Sequence, residues 1–146
     1  MKLVIQRVQR ASVTIDRQEH SQIGQGLLVL VGVARDDTFE KAQRLAAKTV
    51  NLRIFNDENG VMNRSVLDVG GDVMAVSQFT LLAQTRRGNR PSYIDAAGHD
   101  LAIPLYMAYC HEIEHLTRRP VATGVFGADM QVELVNDGPV TIVMEL

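Results

Sequence analysis

The stretch Val73-Met-Ala-Val-Ser-Gln-Phe-Thr-Leu-Leu82 constrains this chain most. Val73 to Val76 is apolar without interruption; Ser77-Gln78-Phe79-Thr80 then breaks the run, and Leu81-Leu82 closes it. A short apolar run with no polar alternation marks a strand covered on both faces. Leu27 to Val33 (LLVLVGV) has the same character and predicts a second such strand. A sheet holding both needs a layer on each side. The two hydroxyls and the amide inside the first run each need a partner, because burying one unpaired costs about 1–3 kcal/mol. Neighbouring backbone is the commonest partner for an isolated Ser or Thr. A pocket is the other, and a second irregular stretch, Val135-Asn-Asp-Gly-Pro-Val-Thr141, favours it.

The remaining chain supplies the layers. Lys2–Val8 and Ala11–Ile15 are β-branched and partly alternating, which predicts strands over 2–15 with a kink or bulge at Gln9-Arg10. The polar, glycine-bearing segment from Asp16 to Gly26 reads as a loop or hairpin end. Asp36-Asp37-Thr38 supplies N-cap candidates, and Asp37 with Glu40 approximates a capping box, ahead of a helix over about 37–52. A second helix, about 99–117, carries Leu101, Leu105, Ala108, Tyr109 and Leu116 on one stripe, with Pro104 within its first turn or so. Met62–Val69 is a strand or extended loop. Met130–Val135 and Pro139–Leu146 read as strands joined by a hairpin turn at Asn136-Asp137-Gly138. The expected fold class is mixed α/β (α+β). Two long helices pack on curved sheets containing 2–15, 27–33, 73–82 and 130–146.

At 146 residues this is most simply one domain, 1–146, able to bury about two-thirds of the surface of its unfolded chain. A net charge of −2 and a pI near 6.1 provide no bulk positive field for nucleic acid, although a local patch suffices to hold one RNA end. One cysteine excludes an internal disulfide and fits a reducing compartment. No signal-like or membrane-spanning run is present. The expectation is a soluble, cytoplasmic protein. Arg86, Arg87 and Arg90 lie beside Gly88 and Pro91; such a cluster suits phosphates, and its commoner fate is a solvated loop. His111-Glu-Ile-Glu-His115 matches the H-E-x-x-H string that places two zinc ligands on one helical face. Its flanks, Glu114, Arg118 and Arg119, are those of a solvated face, and no third histidine follows. Cys110 and His111 are consecutive, so on a helix they do not face each other.

Ser77-Gln78-Phe79-Thr80-Leu81 and Asn136-Asp137-Gly138-Pro139-Val140-Thr141 resemble the signature segments of D-aminoacyl-tRNA deacylases. Gln6-Arg7-Val8, Ala11-Ser12-Val13, Gly26–Gly32, Arg53-Ile54-Phe55, Arg90-Pro91-Ser92 and Phe126–Met130 fall in that family's order and spacing. The resemblance thus covers essentially the whole chain, with Tyr93 a mild variation where Phe is common. It implies hydrolysis of the ester between a D-amino acid and the terminal adenosine of tRNA, with no metal or organic cofactor and no membrane or DNA partner. It implies a homodimer in which a Gly-cis-Pro element, Gly138-Pro139, enters the partner's site and rejects L-aminoacyl substrates. Ser77, Gln78, Phe79 and Thr80 would line the pocket, with Arg7 bracing the Gly-Pro loop. Backbone N–H groups around Gln78 and Phe79 would receive an oxyanion. Thr80, with no base near it in sequence, would position groups while water attacks. Glycyl-tRNA, having no side chain to reject, is an expected substrate. Two other classes remain: a small zinc peptidase built on His111, Glu112 and His115, and a non-catalytic RNA-binding module resting on Arg86–Arg90.

Overall fold

The computed structural model describes residues 1–146. Its organising strand is β1, Lys2–Ile15. The first part of one edge pairs antiparallel with β3, Gly26–Gly32, from Lys2↔Gly32 to Val8↔Gly26. Beyond Gln9-Arg10 the same edge pairs with β2, Gln18–Ile23. β1 is therefore one continuous strand, and the expected bulge at Gln9-Arg10 is present. On the other edge its pairing with residues 131–145 steps from Val8↔Asn136 to Arg10↔Val135, where this edge changes partner. The predicted polar loop contains β2, because Asp16 and Arg17 both take positive φ (50° and 64°) and close a two-residue hairpin. β2 is polar from Gln18 to Gln22, mostly exposed, and only Ile23 is apolar and buried, which conceals it from a search for apolar runs.

β3 continues into a parallel partner, β6 (Asp72–Ser77), with Leu27↔Val73 through Val31↔Ser77. The short β7, Ala122–Thr123, lies parallel on the far side of β6. β4 (Phe55–Asn56) and β5 (Met62–Arg64) form a separate small pair. The curved, nearly closed sheet carries α1 (Phe39–Asn51) and α2 (His99–Thr117) on one face. Its two faces have separate cores. Leu3, Ile5, Leu27, Val29, Val31, Val73 and Ala75 join the helices' Leu45, Val50, Leu105, Tyr109 and Ile113. Val8, Val13, Ile23, Leu28, Met74 and Val76 form the second core inside the curl. Alternate residues of β3 and β6 thus enter different cores, which is why neither strand alternates in polarity.

Four expectations need correction. The strand predicted over 73–82 stops at Ser77, and Phe79–Leu82 is a 3-10 turn. Asp37 and Glu40 form no capping box: of the N-cap candidates it is Thr38 that caps α1, its hydroxyl accepting from the Lys41 amide at 3.3 Å. Asp37 instead turns inward, accepting from the Ala34 amide at 2.6 Å and pairing with the Met1 ammonium. Pro104 lies in the second turn of α2 on its exposed side, where water can satisfy the freed carbonyl. Asp137-Gly138 makes no hairpin. Gln131–Glu145 is one strand, β8, antiparallel to β1 along nearly its whole length. Between Gln6↔Thr141 and Val8↔Asn136, residues 137–140 stand opposite Arg7 alone and bulge outward. The Gly138–Pro139 peptide is cis and Gly138 has φ 135°.

Candidate functional site

β6 ends where its continuation crosses over β3. A side chain on Gly32 would meet Leu82 Cδ2 at 2.5 Å, Leu81 Cβ at 3.0 Å and the Gln78 carbonyl at 3.1 Å, so glycine there lets the turn lie flat on the sheet. The amide of Gln78 still donates to the Val31 carbonyl (2.8 Å), and that of Leu81 folds back to the Gln78 carbonyl (3.2 Å). Phe79 and Thr80, the first residues of the turn, are left with amides that no turn carbonyl accepts. Of the amides around Gln78 and Phe79 expected to receive an oxyanion, Gln78's is used by the ladder, while those of Phe79 and Thr80 make no backbone bond. The Gln78 side-chain amide donates to Thr80 Oγ1 and locks the turn's first corner.

A cavity of about 730 Å³ opens beside this turn. Ser77, Gln78 and Phe79 line it, whereas Thr80 sits behind them, half-buried, and is not part of the wall. Phe79 is 57% exposed, and its ring meets Tyr93 edge-on at 5.0 Å. The opposite wall comes from the start of α2 and the segment before β8: His99, Phe126, Asp129 and Met130. His99 packs edge-to-face on Phe126 at 5.5 Å. His99 opens the expected second helix and Phe126 lies in a glycine-rich connection, and neither carries a local mark of a site. Phe126 falls in the Phe126–Met130 block that resembles the family's, but no local pattern reveals that block's spatial neighbours. Tyr106 anchors α2 behind the cavity by donating to the Ala75 carbonyl at 2.8 Å, and burial pushes its phenol above the ordinary range. Burial likewise raises Tyr109 and pushes the Cys110 thiol up to about 12.

The other candidates lie elsewhere on the chain. Arg7 is buried and donates Nε to the Asp137 carbonyl (2.9 Å) and Nη1 to the Ile54 carbonyl (2.7 Å), pinning the base of the β8 bulge. Gly138 and Pro139 are exposed at the bulge tip and do not line this chain's cavity. Asn136 fixes the far side, accepting from the Val140 amide at 2.9 Å. His111 and His115 are exposed on α2, and Glu114 between them accepts from the Val121 amide at 3.0 Å. No group of three or more His, Cys, Asp or Glu side chains is gathered to hold a metal ion.

A curved mixed sheet, two helices on one face and a cavity at the end of its parallel pair define a known fold. A solved structure described as a c-Myc DNA Unwinding Element Binding Protein superposes with a TM-score of 0.93 at 39% identity, covering 100% of this chain and 99% of its own. Another, described as a probable eukaryotic D-amino acid tRNA deacylase, shares the fold with a TM-score of 0.86 at 16% identity, covering 99% and 98%. The D-aminoacyl-tRNA deacylase of Parabacteroides distasonis is 61% identical over 99% of this chain and 97% of its own length. The family profile described as D-Tyr-tRNA(Tyr) deacylase matches residues 4–145. The chain belongs to this family of hydrolases, the D-aminoacyl-tRNA deacylases.

Proposed function

We propose that this protein hydrolyses the ester of D-aminoacyl-tRNA, and of glycyl-tRNA, at a site that two subunits complete. The carrying observation is that its two signature segments are apart in one chain: Ser77-Gln78-Phe79 borders the cavity, while Gly138-Pro139 projects from the β8 bulge into solvent. In a homodimer the partner's Gly138-Pro139 closes the cavity mouth. The chemistry is modest because an aminoacyl ester is already activated. Water adds to the ester carbon, and the Phe79 amide at the cavity wall receives the tetrahedral oxyanion. The ester C–O bond then breaks, the proton passes to the ribose oxygen, and free D-amino acid and tRNA leave. One such donor is worth about 2.7–4 kcal/mol in the transition state. Thr80 holds the turn through Gln78, and the neighbouring ribose hydroxyl of the substrate assists water.

Chirality follows from rejection. With the ammonium and ester carbon both held, exchanging D for L swaps the hydrogen and the side chain, and the L side chain strikes the Gly138-Pro139 wall. Catalytic amounts of protein should release D-tyrosine or D-alanine from charged tRNA and spare the L-aminoacyl counterparts. Subunit mixing tests the shared site. A Gly32 variant with a displaced turn, slow on every ester, and a Pro139 variant with a displaced wall, which no longer spares L-aminoacyl esters, should regain fast, D-selective cleavage on mixing. Hybrid dimers then carry one site with both segments intact. No recovery, with hybrids demonstrated by mass spectrometry, would place both segments' functions within one chain.

A further inference from the structure

The segment leaving the site carries charge that nothing in the chain neutralises. After Leu82, the backbone pairs Gln84 with Ser92 through two bonds, Gln84 N to Ser92 O at 2.8 Å and Ser92 N to Gln84 O at 3.0 Å. Residues 85–91 are thereby closed into a loop that is exposed throughout. It holds Arg86, Arg87 and Arg90 and no acidic residue, and Gly88 turns its tip with φ 68°. Seven of the chain's fifteen basic side chains sit in ion pairs. Three of those without an acidic partner are these arginines, gathered within five residues.

Both feet of the loop are tied to the candidate site. The front foot follows directly from the Phe79–Leu82 turn, and the back foot carries Tyr93, whose ring packs on Phe79 at 5.0 Å. Gln84 is held further by its side-chain bond to Asp95. Only the tip is free, and it carries the charge. Six residues separate Thr80 from Arg86, a reach of at most about 20 Å. A nucleic acid strand entering the cavity by its 3′ end brings several phosphates within that distance, at roughly 3.4 Å of axis each.

We propose that the Arg86–Arg90 loop is the docking element for tRNA behind its terminal adenosine, gripping backbone phosphates without reading sequence. The proposal rests on the functional reading above, and it assigns binding of the tRNA body and hydrolysis of the ester to separate parts of one rim. Removing the three arginines weakens capture of a long substrate and leaves the chemistry at its end intact.

The test compares wild type, the triple variant Arg86→Ala/Arg87→Ala/Arg90→Ala, and Lys48→Ala, which removes an exposed cation from the last turn of α1. Two substrates are used: D-tyrosyl-tRNA, and the minimal ester D-tyrosyl-adenosine. Each phosphate contact contributes about 0.7–0.9 to the salt slope of affinity. Between 50 and 200 mM salt, three contacts account for roughly a 20- to 40-fold change. The expected result is that wild-type kcat/KM on D-tyrosyl-tRNA falls by that much more than the triple variant's. On D-tyrosyl-adenosine the two stay within about twofold, and Lys48→Ala behaves as wild type. Binding of uncharged tRNA by fluorescence anisotropy carries the same comparison without chemistry, so it decides the docking proposal even if no ester is cleaved. An unchanged salt slope for the triple variant in that binding experiment overturns the proposal, as does an equal loss on both esters. Tighter, arginine-dependent binding of a DNA duplex than of tRNA would overturn it in favour of DNA. Loss of hydrolysis by wild type on both esters would instead strike the functional reading.

Discussion

Replacing Gly32 by alanine tests whether the backbone of the Phe79–Leu82 turn is the catalytic element. The new methyl would sit 2.5 Å from Leu82 Cδ2, 3.0 Å from Leu81 Cβ and 3.1 Å from the Gln78 carbonyl. Leu82 can rotate its side chain away. Leu81 Cβ and the Gln78 carbonyl are attached to the turn itself, and relieving them to ordinary contact at about 3.4 Å moves it by a few tenths of an ångström. The overpacking should cost about 1–3 kcal/mol of stability, which leaves a domain of ordinary stability folded. The Phe79 amide moves with the turn, away from the point where the oxyanion forms. Misplacement by 1 Å can cost about a hundredfold in rate, so a third of that displacement should cost roughly five- to tenfold in kcat. Deacylation of D-tyrosyl-tRNA under single turnover reads kcat without product release, and thermal melting reads stability on the same samples. Val50→Ala, a buried truncation on α1, supplies a similar loss of stability with no path to the turn. Full single-turnover rate in Gly32→Ala would refute the reasoning. So would a loss matched by Val50→Ala, because the rate would then follow stability and not geometry.

Thr80→Val keeps the shape and removes the hydroxyl that accepts from Gln78; losing that bond should slow deacylation about two- to fifteenfold. A fall of several orders of magnitude, with an acyl-enzyme trapped on wild-type Thr80 by acid quench and mass spectrometry, would make it the nucleophile instead. Stability should fall above pH 9, and the sign follows from burial. Burial raises Cys110 from 9.0 to about 12 and also raises Tyr106 and Tyr109, so between those limits the unfolded chain releases protons that the folded one retains. Urea midpoints should therefore be flat below pH 9 and fall toward pH 12, and Cys110→Ala should remove part of the slope; a midpoint rising with alkaline pH contradicts this. Glycyl-tRNA should be cleaved measurably and L-alanyl-tRNA spared. The two differ by one methyl, and a pocket open on its D side cannot strongly refuse a smaller group, a missing methylene being worth only about 1–3 kcal/mol. Equal rates on the two would remove the Gly138-Pro139 wall from the account.

What the sequence made legible was periodic or compositional. The double burial of Leu27–Val33 and Val73–Val76 was visible because both faces of a strand had to be apolar, and the two cores account for it residue by residue. The helices were visible through their spacing. The end of β6 at Ser77 was not, since Leu81-Leu82 continues the apolar run and the reason for stopping is the missing side chain of Gly32, forty-five residues earlier. Asp137-Gly138 carried a true turn signal that pairing with a long neighbour converted into a bulge: β1 runs past it on both sides, so the chain re-enters the same ladder and does not reverse. His99 and Phe126 lacked any local sign because their relation is one of contact across the cavity.

The ladder itself argues for two subunits at one site. On β8 the Gly138-Pro139 bulge stands opposite Arg7, and Arg7 pairs with Leu27, which pairs in turn with Val73 at the start of β6. Ser77 lies four residues further along β6. That is about 13 Å along the strand, at roughly 3.3 Å per residue. Three inter-strand steps of about 4.8 Å separate β6 from β8 across the sheet, or roughly 14 Å if it were flat. Curvature shortens the second distance and leaves the first unchanged. A single amino acid held at the turn therefore does not reach its own chain's Gly138-Pro139, which is why the proposed function draws the wall from another copy. Arg7 holds the base of the bulge to the Ile54 carbonyl, and in the proposed function that anchorage is what would keep the wall rigid enough to reject by shape.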